Sequence, residues 1–331
     1  MKKQGLIFIY ILTVTSLLAQ PKIKSFSPLS GKTGSTVTIK GTGFNKTISN
    51  NIVFFGAAKA TVTGINDTSL TVTVPSGTTY ENISVTDLTT GLTDYSSKPF
   101  NVTFCGDSEM SNFSFSDKHD FKTGDMLNSV KMADFDGDGK SDIITVGYNS
   151  VIIYKNQSII DSVILTKALS FSMYSSSFVA ICDFNGDGKL DFAVLCDMTN
   201  IVSIYKNTST IGTISFQKVN DYNTGKYPTC IATGDLNQDG KPEMVISCPN
   251  SDSISIYKNT STNGNISFAT RTNIRSGNEP IYVAINDFNG DLLPDIAVAD
   301  NTLSATKTLS ILKNISTNNT ITFASITYFN A

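Results

Sequence analysis

The chain has 331 residues, 40% of them hydrophobic and 16% charged, with a formal net charge of −3. This hydrophobic content is too high for a disordered chain, and the length is sufficient for two or three domains. A nucleic-acid-binding protein needs a basic face, which neither this charge balance nor the arginines Arg271 and Arg275 supply. We therefore expect no nucleic-acid partner.

Residues 1–19 have the pattern of a secretory signal peptide. Lys2 and Lys3 precede an apolar run from Leu6 to Leu18, and Ala19 is a small residue suited to cleavage. The run is too short for a membrane-spanning helix, and no later stretch is apolar enough to span a bilayer. We expect a secreted or cell-surface protein with no transmembrane segment in the mature chain.

Residues 20–104 alternate polar and apolar side chains as β-strands do. Val37 and Ile39 alternate with threonines, as do Leu70, Val72 and Val74, and glycines separate the segments. Period-two patterning with turns at this spacing predicts a β-sandwich. The segments 27–34, 36–44, 53–56 and 70–75 resemble the immunoglobulin-like IPT/TIG domain. This resemblance implies a spacer or a binding module.

Residues 105–331 contain an internal repeat. An acidic segment recurs at 134–142, 183–191, 235–243 and 287–295, about fifty residues apart. A Lys-Asn pair follows each segment, and an Ile-Ser-Phe or Ile-Thr-Phe triplet follows the last three. Each unit therefore has about four short strands, which predicts one β-propeller blade per repeat. The expected fold is all-β, with an immunoglobulin-like β-sandwich followed by a propeller of at least four blades.

The acidic segments carry oxygen side chains at positions 1, 3, 5 and 9, and we expect a backbone carbonyl ligand at position 7. Alternating oxygens on a tight loop suit a hard cation, and Ca²⁺ takes about six to eight oxygens with flexible geometry. Gly139, Gly188 and Gly240 stand at position 6, where the chain turns sharply. The predicted metal residues are Asp134, Asp136, Asp138, Lys140 and Asp142; Asp183, Asn185, Asp187, Lys189 and Asp191; Asp235, Asn237, Asp239, Lys241 and Glu243; and Asp287, Asn289, Asp291, Leu293 and Asp295.

An EF-hand is excluded because it needs a bidentate Glu at position 12. That position holds Thr145, Val194, Ile246 and Val298. The loops instead resemble the Ca²⁺ loops of FG-GAP/VCBS-type propeller repeats, as in integrin α-subunits and bacterial surface proteins. The resemblance implies Ca²⁺ as the bound ion, and we expect a structural role because each loop saturates its own metal.

The fourth loop departs from the pattern, since Leu292 replaces the glycine and Pro294 stiffens position 8. We expect weaker Ca²⁺ binding there than at the second loop. The chain also ends inside what looks like a fifth repeat. One hypothesis is a fragment of a longer propeller; the alternative is a compact four-bladed ring, with a strand near residues 113–116 helping to close it.

The five cysteines are an odd number without a Cys-x-x-Cys pair, so we interpret them as small buried residues. A catalytic triad would depend on His119 alone, and nearly all well-placed carboxylates are committed to the loops, so we expect no enzyme. No aromatic or charged cluster is evident from the sequence. The predicted function is a Ca²⁺-binding adhesion or recognition module for an extracellular protein or glycan. The alternatives are a lectin, a non-catalytic part of a larger extracellular carbohydrate-active enzyme, or a spacer.

Overall fold

The structure is a computed structural model that describes residues 20–103, 120–123, 125–159, 162–301, 309–317 and 320–329. Within these ranges the protein is all-β, as predicted, apart from the short 3-10 turns Ile48–Asn50 and Pro249–Ser251. No helix in this part of the chain has the length and apolarity needed to cross a membrane. The predicted signal peptide (1–19), the segment 113–116, Cys105 and His119 lie outside the described residues.

The N-terminal domain is a sheet of seven strands in the order β1-β3-β6-β5-β4-β7-β8, with β2 and β9 paired in parallel beside it. Strand β5 pairs with both β6 and β4, so the sheet folds over on itself into a sandwich. The strands are β1 Lys22–Ser27, β2 Ser30–Gly31, β3 Thr36–Thr42, β4 Asn51–Phe55, β5 Ala58–Asn66, β6 Ser69–Thr73, β7 Asn82–Asp87, β8 Leu92–Pro99 and β9 Asn101–Val102.

The sandwich core follows the predicted alternation. Val37 and Ile39 of β3 are fully buried, whereas the threonines and lysine between and beside them are not. Phe55 and Phe100 meet edge to face with ring centroids 5.0 Å apart, a geometry worth about 0.5–1.5 kcal/mol beyond area burial. The period-two pattern therefore predicted which face of the sheet is buried.

Downstream, the described residues form four antiparallel sheets of four strands each, every one a simple meander. We call them blades 1 to 4. The strands are β10 Leu127–Ala133, β11 Asp142–Gly147, β12 Ser150–Asn156 and β13 Leu165–Ser172; β14 Ser176–Cys182, β15 Asp191–Cys196, β16 Ile201–Asn207 and β17 Phe216–Asn223; β18 Cys230–Gly234, β19 Glu243–Cys248, β20 Ser253–Tyr257 and β21 Thr272–Arg275; and β22 Pro280–Asn286, β23 Asp295–Asp300, β24 Leu309–Leu312 and β25 Thr327–Phe329.

Consecutive blades bury their apolar faces against one another. Strands β15 and β19 are buried along their whole length, because each lies inside a sheet that has a neighbouring sheet on both faces. Separate apolar cores lie between blades 1 and 2, blades 2 and 3, and blades 3 and 4. The first strands β10, β14, β18 and β22 pack in that order. The fifty-residue repeat is thus a propeller blade, as predicted, while the total number of blades remains a prediction.

Four of the cysteines are confirmed as buried, unpaired core residues: Cys182, Cys196, Cys230 and Cys248. Burial raises the pKa of the Cys182 thiol to about 12. A thiol that stays protonated in this way is a poor nucleophile and a poor metal ligand.

Candidate metal centres in the acidic loops

Each acidic loop joins the first strand of its blade to the second, and position 9 is the first residue of that second strand. The sharp turn expected at position 6 is confirmed, because all four residues there have a left-handed backbone. The φ values are +87° at Gly139, +79° at Gly188, +83° at Gly240 and +70° at Leu292. A non-glycine residue in this conformation costs about 1–2 kcal/mol, so the fourth loop is strained at Leu292.

A second left-handed residue, at position 4, was missed from the sequence. Its φ is +72° at Gly137, +69° at Gly186, +58° at Gln238 and +82° at Gly290. Two left-handed residues separated by one position wrap the backbone N–H groups inward, so that they face the side chain of position 1.

The carboxylates at positions 1, 3 and 5 are held by backbone hydrogen bonds. In the first loop Asp134 accepts N–H groups from position 4 at 2.8 Å and from position 6 at 3.0 Å. Asp136 accepts from position 5 at 3.2 Å, and Asp138 accepts from position 7 at 3.0 Å. Each carboxylate oxygen has a further lone pair, so these bonds orient the side chains and leave acceptor capacity for a cation.

Position 9 lies at the base of the loop and is buried. In blade 2 the Asp191 oxygens accept N–H groups from Phe184, at position 2, and from Asn207, on the third strand, at 3.1 and 2.8 Å. Burial, followed by repulsion from Asp235, raises the pKa of the corresponding Glu243 to about 9. Burial raises the pKa of Asp142 to about 7. A bound cation would favour the ionised forms of these groups.

The first loop brings three of its predicted ligands together. Oxygens of Asp134, Asp136 and Asp138 all lie within 4.8 Å of one another, whereas Asp142 is not part of this group among the described residues. The donors are all oxygens, and the Lys155 ammonium already lies against Asp136 and Asp138. These oxygen donors are the ligands that Ca²⁺ prefers, and they already attract a positive charge, so the loop is chemically suited to Ca²⁺.

The other three loops carry an amide at position 3 in place of a carboxylate, and in the fourth loop Asn289 donates to the position 9 carboxylate of Asp295 at 3.3 Å. Asn185 and Asn237 each donate to the position 5 carboxylate of their own loop, at 3.2 and 3.1 Å. The position 7 residues donate their backbone N–H to that same carboxylate, at 3.0 to 3.1 Å. These position 7 residues are Lys189, Lys241 and Leu293, and the carboxylates are Asp187, Asp239 and Asp291.

In blades 2 to 4 the asparagine of the Lys-Asn pair fastens its blade to the preceding one, a role that sequence reasoning missed. Asn259 Nδ2 donates to Pro242 O in its own acidic loop and to Phe184 O in the loop of blade 2, both at 2.9 Å. Asn207 and Asn314 make the same pair of contacts in blades 2 and 4. The recurrence of the Lys-Asn pair in the sequence indicated an equivalent place in each repeat, but only the structure showed which carbonyl groups the asparagine binds.

In blades 1, 2 and 4 the lysine of the Lys-Asn pair reaches the acidic loop of its own blade, and this role was also missed. Lys155 lies against Asp136 and Asp138, Lys206 Nζ lies 3.7 Å from Asp187, and Lys313 Nζ lies 3.4 Å from Asp291. The pairing register of the second and third strands produces this placement. It sets the residue before the lysine opposite position 10, as in the pairs Ile143–Tyr154 and Phe192–Tyr205.

The sandwich covers the acidic loops of blades 1 to 3. Ser76 Oγ donates to Gly139 O at 2.7 Å, and Thr93 N donates to Gly240 O at 2.8 Å. In blade 2 a Cβ placed on Gly186 would lie 2.0 Å from Gly91 O. Ile52 and Phe54 of the sandwich belong to the apolar core between blades 1 and 2. The first three loops are therefore part of an interdomain contact.

The fourth loop is more open. The position 2 side chain is buried in the first three blades but 51% exposed at Phe288, and Leu292 is 68% exposed. The first three position 2 residues are Phe135, Phe184 and Leu236. Greater solvent exposure and the strained Leu292 are consistent with the weaker binding predicted for this loop.

On the blade edges opposite the acidic loops, an aromatic cluster corrects the expectation that no such group converges. Tyr148 and Tyr174 meet edge to face with ring centroids 5.6 Å apart, and both hydroxyls lie 3.6 Å from Met198 Sδ. Tyr174 is 58% exposed and Met198 54%. These residues, which we call the tyrosine patch, come from turns of blades 1 and 2 and lie up to 50 positions apart.

Comparison with known families agrees with these two architectures. Residues 21–105 match the IPT/TIG domain, and residues 183–246 and 235–298 match the FG-GAP-like repeat. The chain thus contains an IPT/TIG domain followed by FG-GAP-like repeats. The first acidic loop lies outside the matched residues but has the same hydrogen bonds as the second. No curated protein matches the chain.

Several solved structures resemble the chain at low identity. An auxiliary nutrient binding protein from Bacteroides thetaiotaomicron is 15% identical, with coverage of 94% of this chain and 86% of that one and a TM-score of 0.33. An auxiliary nutrient binding protein from Bacteroides ovatus is 11% identical, with coverage of 85% and 96% and a TM-score of 0.24. A protein from Lactobacillus plantarum is 10% identical, with coverage of 90% and 83% and a TM-score of 0.42.

Proposed function

We propose that the protein is a secreted or cell-surface binding module without catalytic activity, in which Ca²⁺ held by the acidic loops stabilises the blades. The observation that carries the proposal is the position of the loops. In blades 1 to 3 they lie between the blades and the sandwich, where a metal ion supports structure. The opposite blade edges carry the tyrosine patch, and we assign its exposed side chains to recognition of an extracellular protein or glycan.

A structural role follows from how the loop carboxylates are used. Metal-assisted catalysis needs an open coordination position and an acid or base beside it. Here each loop supplies four oxygen side chains, every position 1 carboxylate is held by backbone N–H groups, and the sandwich restricts access to the first three loops. The ion would instead offset the repulsion among buried carboxylates such as Asp183 and Asp191.

Calcium dependence is tested by unfolding the full chain in 10 mM Ca²⁺ and in EGTA. With a dissociation constant of about 10⁻⁴ to 10⁻³ M, each occupied site adds roughly 1.4–2.7 kcal/mol to the free energy of unfolding. We expect a clearly higher unfolding midpoint in Ca²⁺ and bound calcium by elemental analysis. Identical unfolding curves together with metal-free protein would contradict the calcium part of the proposal.

The binding surface is tested with glycan and extracellular-matrix protein arrays. A ligand found for the wild type should bind at least about tenfold more weakly to the Tyr148→Ala/Tyr174→Ala variant, since exposed aromatic residues commonly dominate recognition surfaces. Ile211→Ala is the control, because Ile211 is 84% exposed in the β16–β17 connection, away from the patch. Unchanged binding by the tyrosine variant would rule out the patch, and turnover of an arrayed polysaccharide would contradict the absence of catalysis.

A further inference from the structure

In blades 1, 2 and 4 a lysine lies against the acidic loop of its own blade, and of these three contacts the one in blade 1 is the closest. The Lys155 ammonium contacts Asp136 and lies 3.2 Å from Asp138 Oδ2. Its side chain is 15% exposed and that of Asp136 is fully buried. The pair is therefore shielded from water, where an ionic interaction is stronger than on the surface.

Lys155 also connects blade 1 with blade 2. Its Nζ donates to Gly212 O at 2.8 Å, and Gly212 lies in the connection between β16 and β17. Three acceptors on two blades thus converge on one ammonium, which can donate three hydrogen bonds. A fixed cation of this kind supplies charge compensation to the first loop without any metal.

Calcium and this ammonium need the same oxygens. Ca²⁺ binds carboxylate oxygens at about 2.3–2.6 Å, and a second cation at hydrogen-bonding distance from Asp136 and Asp138 would repel it. Since Lys155 is tethered to β12, its effective concentration at the loop is high. Binding of the ion at positions 3 and 5 therefore requires displacement of the lysine.

We propose that Lys155 is an intramolecular counter-cation that competes with Ca²⁺ for Asp136 and Asp138, so that the first loop stays ordered without metal and binds Ca²⁺ more weakly than its carboxylates alone would allow. The competition rests on the proposed calcium function, whereas the ion pair itself does not. Displacement of Lys155 would also release Gly212 O, so occupancy of the first loop is coupled to the contact between blades 1 and 2.

Lys313 provides the matched control. It occupies the equivalent position in blade 4 but contacts the single carboxylate Asp291 at 3.4 Å, and its side chain is 53% exposed. An exposed pair of this kind contributes little. The two Lys→Met substitutions remove the same charge and keep a similar side-chain length. The difference between their effects on calcium affinity therefore measures the contribution of the buried contact.

The competition is tested by calorimetric Ca²⁺ titration of the wild-type full chain, Lys155→Met and Lys313→Met. In Lys155→Met we expect one site to tighten by about tenfold, the effect of removing a buried charge-assisted contact. In Lys313→Met we expect less than a twofold change. Equal calcium affinities in wild type and Lys155→Met would overturn the competition.

The ion pair is tested separately in EGTA, where calcium plays no part. A double-mutant cycle of Lys155→Met, Asp136→Asn and the double variant measures the coupling between the two side chains by urea unfolding. We expect each single variant to unfold at lower urea than the wild type, and the double variant to lose less than the sum. Additive losses would overturn the counter-cation. Coupling without calcium binding in any variant would support the counter-cation and refute the calcium function.

Discussion

The contact between the sandwich and the second acidic loop allows a sharply matched test. Gly186 and Gly137 both occupy position 4 of their loops, with φ values of +69° and +72°. A Cβ on Gly186 would lie 2.0 Å from the carbonyl oxygen of Gly91, whereas no heavy atom of the described residues lies within 4 Å of a Cβ on Gly137. The two Gly→Ala substitutions therefore share their backbone strain and differ in the interdomain clash.

The expected losses can be worked from this geometry. A left-handed alanine costs about 1–2 kcal/mol in either variant. In Gly186→Ala the two backbones must also separate by about 1.4 Å to restore an ordinary contact of 3.4 Å. Overpacking of this kind costs roughly 1–3 kcal/mol more. The nearby Thr93–Gly240 hydrogen bond, at 2.8 Å, would be strained by the same movement.

The measurement is urea unfolding of the two variants and the wild type at one Ca²⁺ concentration, with small-angle scattering of the folded states. Gly186→Ala should lose more stability than Gly137→Ala by roughly 1–3 kcal/mol and should show a larger radius of gyration. Equal losses with unchanged scattering would refute the conclusion that the sandwich rests on the second loop.

Two further predictions concern buried polar groups. Asn259→Ala should lower the free energy of unfolding by about 2–4 kcal/mol, because it leaves Phe184 O and another buried carbonyl without a donor. The control Asn156→Ala, whose amide reaches its own blade at Ser141 O, should lower it by about half as much. Equal unfolding midpoints of the two variants would disprove the inter-blade role. In EGTA, stability should fall as pH rises from about 5 to 9, because the folded protein holds protons on Asp142 (pKa about 7) and Glu243 (pKa about 9) that the unfolded chain has already released. Added Ca²⁺ should flatten this profile, and a metal-free stability that rises over the same pH range would show that these carboxylates are ionised in the folded state.

The sequence by itself determined the features that depend on neighbouring residues. Alternation in residues 36–40 predicted which side chains of β3 are buried, and the recurrence of the acidic segments predicted the blades. The oxygen pattern at positions 1, 3, 5 and 9 gave the candidate ligands, and the glycine at position 6 gave the left-handed turn. The inferences about the buried face, the blades and the left-handed turn succeeded because strand periodicity and turn conformation arise from local sterics, whereas the metal ligands stay a prediction.

The tertiary structure alone decided what lies across from each loop. Asn259 meets Phe184 O and Tyr148 meets Met198 because the blade registers bring distant segments together, and nothing in the separate repeats specifies those partners. Lys155 could be identified as a cation over the first loop only from the pairing of β11 with β12. The docking of the sandwich on three loops depends on shape complementarity between two folded surfaces, such as Gly91 against Gly186, which a linear pattern of residues does not encode locally.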